Sequence, residues 1–582
     1  MTNLTINATR LLHELHHLAT LTDCPTTTDP TLPAPTTAVT RIVFTPRDLE
    51  ARAYIKSLAE AAGFTLRVDA IGNTFIRFPG TDPTLPAIGT GSHTDAIPHA
   101  GMYDGTVGVL GGLEAMRSLK ESGFTPTRSI ETLMLTSEEP TRFGIGCIGS
   151  RLLGGSISPT TADALPDRLS ETDMATPSSP TASSSAKVGS QDAPTTLHDV
   201  RTAANFTGSL TTVPLPPNYY HAWVELHIEQ GPLLEREGIP IGIVTNIAAP
   251  ASYRYEITGF GGHAGALLMP DRRDALSAAA ELILSVEKHT LAANARAGAP
   301  SEIIQTTAEA EATYDRHVGV SRNYAHVKIR ISPNNPGTGY EFSNDVPGKA
   351  LPKKFIHSID EGIHEAMLGG VLAGHALVDI KVSLTDASYH EADSNEMSFR
   401  IAASQAFKEA ARKAKPVLMP PASSGVDSVA TVGTLAVHPG AINSVPSRVT
   451  LTLDIRDTDV ARREAIMSAL HADIAEIESR RHVTITEHQI NADLPAISDP
   501  HILATLESIC TSNSIPYKKM VARAYHDTSF IAPIAPVAMI FIPCRNGVSH
   551  RPDEYATPES IALGTRVLAL ALAHLAQEGY PS

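Results

Sequence analysis

Four apolar runs decide what this chain can fold into. Leu85 to Ile88, Ile130 to Thr136, Ala222 to Ile228 and Val537 to Pro543 read as buried strands. Helix-like stretches separate them, among them Gly111 to Ser122 and the segment from Pro558 onward. Such alternation restricts a chain to an α/β sheet covered by helices. Sites in open sheets of this kind collect at the carboxyl ends of the strands. Each run here is followed by a side chain that can bind metal or carry a proton. His93 follows the first, in GSHTDAIPHAGMYDG, and Glu138-Glu139 closes the second. His227 ends the third before Glu-Gln-Gly-Pro, and His550 lies in the loop after the fourth.

The chemistry at those ends is coherent. Imidazole nitrogen and carboxylate oxygen suit Zn, Mn, Co or Ni. A His-x-Asp pair alone is weak, because it arises often by chance, and its worth depends on the other ligands. An aspartate on a tight turn, as Asp104 is, can offer one oxygen to each of two metals. The expectation is a two-metal centre bridged by Asp104, with His93 and His227 completing one position and Glu139 and His550 the other. Glu138 would then be free to act as general base. Asp95 would sit behind His93 and accept its free N–H.

The remaining chain supports a multidomain protein. Its 582 residues suggest roughly three or four domains. A net charge of −16 argues against general nucleic-acid binding. Four scattered cysteines without CxxC spacing argue against a disulfide framework and fit a reducing compartment. No apolar run approaches a membrane span, and the N-terminus reads as an amphipathic helix with no secretory core. The expected compartment is the cytoplasm, with the endoplasmic reticulum and peroxisome left open. Thr45-Pro46 starts a helix, and Phe64 to Arg77 forms two short strands around Gly72-Asn73. Residues 158–200, rich in Ser, Thr, Ala and Pro, read as a flexible insertion. Glycines around His263 let that loop approach a ligand. Arg272, Arg273 and Asp274 read as a helix-start ion pair. With 299–422 set aside, the segment from Tyr253 to His488 has a β-α-β-β-α-β order.

The ordered motifs GSHTDAIPHAGMYDG, SEEPTRFG, GSRLL, LHIEQGP, GGHAGALLMPDRRDA, GAINSVPS, DIR, YHD and GVSHRPDEYATPE resemble the M20 metallopeptidase clan. Within it they are similar to the branch of amidases acting on N-carbamoyl and ureido compounds, and the wording is nearest to its ureidoglycolate-hydrolysing members. The resemblance covers roughly 41–298 and 423–580. It implies an α/β catalytic domain with a central mixed sheet, in two parts (1–247 and 498–582). A ferredoxin-like dimerisation or lid domain (248–497) would lie between them. It implies a homodimer with two divalent metals, usually manganese, on the residues named above. Gln230, His263, Asn443, Arg456 and His526 match substrate-binding positions, with His263 also catalytic and supplied across the dimer interface. Arg456 would pair with a substrate carboxylate, and Asn443 and His263 would donate to a carboxylate or an oxyanion. The loop of His526 reads Ala-Tyr-His-Asp where the clan usually has Gly-His-Asp. The implied reaction is hydrolysis of (S)-ureidoglycolate to glyoxylate, carbon dioxide and ammonia, the last step of purine-ring breakdown. Allantoate or N-carbamoyl-L-amino acids are the alternative substrates.

Residues 301–422 stand outside that pattern. GYEFSNDVPGKALPKKF, SYHEADSNE and AFKEAARKAKPVL resemble domain IV of elongation factor G, a fold of the ribosomal protein S5 type. The family's glycine-rich tip is replaced by His317-Val318-Gly319-Val320-Ser321, while Tyr389-His390 persists in the other tip loop. The chain has no GxxxxGK[ST] phosphate loop, which excludes a translocase. Charges in the insert are nearly balanced, so the expected role is passive or dimer-adjusting. An RNA- or ribosome-binding role is the less favoured alternative.

Overall fold

The structure is a computed structural model that describes residues 4–24, 34–169, 195–297, 300–318, 321–335, 339–347, 351–419 and 427–578. The centre of the tip sequence at 317–321 lies outside these residues, as does 170–194 of the expected insertion.

The largest sheet has nine strands. Its middle is built from Ile130–Leu135, Ala87–His93, Tyr220–Ile228 and Val537–Ile542, side by side in that order and all parallel. These are the four apolar runs. Both faces of such a sheet are covered, which is why the runs read as continuous rather than alternating. Val224, Leu226 and Ile228 face one core with helices Thr106–Glu121 and Pro558–Gln577. Trp223, on the opposite face, packs with Leu133, Leu135 and Leu152. The chain leaves Ala87–His93 to one neighbour and later returns on its other side, so the strand ends open at a topological switch point.

Helix Thr106–Glu121 starts five residues before the expected Gly111. Gly108 and Gly112 lie inside it because the helix presses on the sheet. A Cβ at Gly108 would meet Leu226 O at 2.6 Å, and one at Gly112 would meet Thr132 at 2.8 Å. Thr45 caps helix Pro46–Ala61, with Pro46 in its first turn. The expected insertion 158–200 is narrower than its composition suggests. Helices Pro159–Asp163 and Leu197–Ala203 fold at its two ends. Ala162 and Leu197 are fully buried there, and Thr196 and Asp199 form a capping box.

Pro558–Gln577 is long and apolar enough to cross a membrane by length and composition, with mean hydropathy 1.3. It is instead a core helix, with Val567, Leu568, Ala571, Leu572 and Leu575 buried against the main sheet and its neighbours.

A second sheet has the order Val429–His438, Arg448–Asp457, Ala249–Thr258, Thr484–Ala492, all antiparallel. Helices Ala275–Ala297 and Val460–Arg481 share its core. This is the β-α-β-β-α-β order read from the sequence. The expected ion pair at Arg272–Asp274 does not form. Asp274 caps its helix by accepting the N–H groups of Leu276 and Ser277. Arg272 donates to the carbonyls of Ala264 (2.6 Å) and Leu267 (3.2 Å), so it braces the loop that carries His263.

The third sheet, Ala308–Val318, Ser321–Pro333, Ile380–Ser388, Tyr340–Asn344, has its own core with helices Lys353–Leu368 and Glu396–Lys413. A two-stranded ribbon, Ser301–Ile304 against Pro416–Met419, brings its two ends together.

Candidate metal centre

The four parallel strands deliver their end residues to one place. Asp104 is the hub. Its Oδ1 lies 3.1 Å from His227 Nε2 and 3.6 Å from His93 Nε2. Its Oδ2 lies 3.2 Å from His550 Nε2, which is 3.4 Å from Glu139 Oε1. The five side chains therefore form two donor sets, His93–Asp104–His227 and Asp104–Glu139–His550, which share only the aspartate. Glu138 belongs to neither set and stands beside them, with Oε2 3.6 Å from His93 Nε2.

Local backbone explains how the set is assembled. The turn before helix Thr106–Glu121 must pass directly over His93. Gly105 has φ +67°, and a Cβ there would lie 2.4 Å from His93 Nε2. Ser137, Gln230 and His550 also adopt positive φ (58°, 53° and 60°), a conformation that side-chain-bearing residues usually avoid. Three such residues beside one cluster mark a site where geometry overrides local preference.

Asp95 stands behind His93 by a different route from the one expected. The Nδ1 of His93 is 3.0 Å from the backbone carbonyl of Asp95, whereas its carboxylate is 3.8 Å away. That carboxylate instead accepts the backbone N–H groups of Glu139 (3.0 Å) and Glu138 (3.4 Å). Asp95 thus orients His93 with its main chain and the acidic pair with its side chain.

The electrostatics are those of acids and imidazoles packed together in a buried site. Burial would raise the Asp104 carboxyl, but His227, His550 and His93 hold it well below the usual carboxylate range. Burial pushes Glu138 well above its ordinary value, reinforced by Glu139, Asp527 and Asp104. Glu139 is pushed up to about 7, chiefly by burial. Burial would lower His550, but Asp104 and Glu139 raise it to about 10. The donor set fits divalent metal: oxygen and imidazole donors at mutual spacings suited to shared coordination, with carboxylates that a dication would neutralise.

The other expected site residues divide into two groups. Gln230 touches the hub, its Nε2 donating to Asp104 Oδ2 at 2.7 Å. His526 packs edge-on to His227 with ring centres 4.5 Å apart, and burial with the neighbouring His227 keeps it well below its ordinary value. Gln230 Oε1 and His526 Nε2 are buried with no hydrogen-bond partner among the described residues. Arg456 comes from the second sheet. Its guanidinium sits 5.1 Å from the Tyr525 ring centre and its Nε donates to Asp454. His263 lies on a short ribbon, Gly262–His263 against Ser444–Val445, and Asn443 directly precedes its second strand, its carbonyl accepting the Ala264 N–H at 2.8 Å. Both are exposed, and neither makes a hydrogen bond to the cluster.

Sequence reasoning passed over several neighbours of this centre. Ser549 Oγ lies 3.0 Å from Asp104 Oδ2, and Glu554 binds the Asp104 backbone. The Cys147 thiol donates to Glu138 Oε1 at 3.5 Å. The signal for Glu554 was an acid in the same loop as His550, in a segment otherwise read only for its histidine.

Fold and donor set define a class, a metal-dependent hydrolase whose site lies at the switch point of a mixed α/β sheet. Known proteins narrow it. The peptidase family M28 matches residues 73–219, and elongation factor G, domain IV, matches residues 299–415. A ureidoglycolate hydrolase of Oryza sativa subsp. japonica is 38% identical over 544 residues, covering 93% of this chain and 81% of the relative. An N-carbamoyl-L-amino acid amidohydrolase of Geobacillus stearothermophilus is 27% identical, covering 93% and 95%. The crystal structure of AtUAH in complex with glyoxylate superposes with a TM-score of 0.66 at 35% identity, covering 99% of each chain. The chain belongs to the ureidoglycolate hydrolase family of amidohydrolases.

Proposed function

We propose that this protein hydrolyses (S)-ureidoglycolate, releasing glyoxylate, carbon dioxide and two molecules of ammonia for each water consumed. The observation that carries the reading is the division of the Asp104 carboxylate between two donor sets, with Glu138 left over as a base. In this reading two divalent ions, with manganese as the expected metal and zinc, cobalt or nickel as alternatives, would be held by His93, His227 and Asp104 and by Glu139, His550 and Asp104. When bound, such ions polarise a carbonyl and acidify water.

The chain's own groups do the rest. Glu138, beside the donor sets with Oε2 3.6 Å from His93 Nε2 and ligand to neither, takes the proton of the attacking water and delivers it to the leaving nitrogen. Arg456 pairs with the substrate carboxylate. Gln230, Asn443 and His526 orient the ureido group, and His263 reaches the site across a homodimer interface. The exposure of His263 and Asn443 in the single chain supports that role. The same reading divides the chain into a catalytic domain (1–247 and 498–582) and a lid (248–497) with its insert.

A substrate panel on manganese-loaded protein tests the reading. Ammonia and glyoxylate should appear from (S)-ureidoglycolate, and Glu138→Gln should lower kcat on the order of 10³-fold at unchanged metal content. Turnover confined to allantoate or N-carbamoyl-L-amino acids would keep the chemistry and move the substrate. No turnover of any ureido compound would sink it.

A further inference from the structure

Two loops far apart in sequence build the Oδ2 side of Asp104, and one buried carboxylate joins them. Glu554 is 2% exposed. Its Oε1 accepts the backbone N–H groups of Tyr103 (2.9 Å) and Asp104 (3.1 Å). Its Oε2 lies 2.8 Å from the hydroxyl of Ser549, which lies 3.0 Å from Asp104 Oδ2. Ser549 precedes His550, so the residue next to one donor is tied to the bridging aspartate. Gly101 leaves room for this arrangement, since a Cβ there would stand 2.3 Å from Glu554 Cβ.

The asymmetry of the contacts matters. His93 and His227 face Oδ1 of Asp104, whereas His550, Ser549 and Gln230 all face Oδ2. Without Glu554, the Asp104 and Tyr103 N–H groups lose their acceptor, and the aspartate turn is no longer tied to the loop carrying His550. Without Ser549, Oδ2 loses a neighbour that fixes its direction. Neither loss touches the Nδ1 contacts of His93 and His227 to the main-chain carbonyls of Asp95 and Ile228, and loss of Ser549 also leaves the backbone of the turn that sets Gly105 N–H on His227 Nε2 tied to Glu554.

We propose that Glu554 and Ser549 are positioning residues for the metal held by Asp104, Glu139 and His550, and set its affinity separately from that of the metal held by His93 and His227. The inference rests on the two-metal reading given above. Orienting contacts of this kind typically account for 10–100-fold in metal affinity.

Equilibrium dialysis against Mn²⁺, with metal counted per folded chain, tests it. Wild type should bind two equivalents. Glu554→Ala and Ser549→Ala should weaken one position at least tenfold and leave the other within threefold. Glu554→Gln should restore both, because its amide oxygen still accepts the two N–H groups and its NH₂ can donate to Ser549. Glu554→Ala added to His550→Ala should cost no further metal affinity. If Glu554→Ala fails to fold, Ser549→Ala decides alone, since it removes only a hydroxyl. Two equivalents at wild-type affinity in Ser549→Ala, or equal weakening of both positions, would overturn the proposal. Fewer than two equivalents in wild type would instead overturn the two-metal reading.

Discussion

At the scale of single residues, the site depends on positions where backbone and ligand leave no slack. Gly105 is the sharpest case. Its φ of +67° disfavours any side chain, and its missing Cβ is the space that His93 occupies. Gly105→Ala should displace His93 while leaving the fold intact. We expect a loss on the order of 10²-fold in kcat/KM, with metal affinity reduced at the His93–His227 position. Metal analysis beside steady-state kinetics on refolding-competent protein checks this, and wild-type metal content with full activity would refute it. The same scale shows what a sequence can and cannot disclose. His93, Glu139, His227 and His550 were legible because each follows a buried strand, and strand ends in an α/β sheet converge. Asp104 was legible from its glycine turn. Ser549, Glu554 and Cys147 were not, because burial in a loop leaves no periodic trace. The expected role of Asp95 missed for a related reason: sequence shows a carboxylate two residues from a histidine, but not that the backbone carbonyl is nearer.

At the scale of elements, pattern disclosed type better than extent. The four central strands were all found, since runs buried on both faces are unmistakable. Helix Thr106–Glu121 was placed five residues late because Gly105 and Gly108 look like breakers until the sheet beneath them is known. The base of the insert shows a feature that no periodicity predicts. Glu302, on the ribbon strand Ser301–Ile304, accepts backbone N–H groups from Val371, Leu372, Ala373 and His375 at 2.7–3.3 Å. Burial alone would raise this carboxyl, but the four donors together hold it below its ordinary value. A group depressed on folding contributes stability above its unfolded pKa and loses it as pH falls through the folded one. The insert should therefore loosen on acidification below about pH 4.5, the ordinary glutamate range. Glu302→Ala should remove about 2 kcal/mol of its stability at pH 7, the loss of hydrogen bonds from four half-buried to exposed loop N–H groups to one charged acceptor. Hydrogen exchange in residues 370–380 is the measurement, and unchanged protection in Glu302→Ala would refute the assignment.

At the scale of the whole molecule, the insert and its host look energetically separable. The insert has a core of its own, built from residues 304–414, distinct from the cluster that joins helices Ala275–Ala297 and Val460–Arg481 to their sheet. Its two ends are paired, Ser301 opposite Met419, so that the host sees a gap no wider than one strand spacing, about 5 Å. A sheet built on the β-α-β-β-α-β order needs only that the end of helix Ala275–Ala297 connect to strand Val429–His438, and a short loop can do that without disturbing Ala249–Thr258 or Arg448–Asp457. None of the residues assigned to the metal centre or the substrate lies between 301 and 422. Replacing residues 301–419 by a short Gly-Ser turn should therefore leave kcat/KM for (S)-ureidoglycolate within about threefold, since distant, independent sites behave additively. Calorimetry should lose one transition, the one belonging to the insert, and keep the transition that shifts with added metal. A loss of activity beyond tenfold in a deletion variant that still binds two metals would mean that the insert shapes the approach of His263 to the neighbouring active site in the proposed homodimer. Sedimentation of that variant would decide the point, because an insert that adjusts the dimer must change the association constant when it is removed.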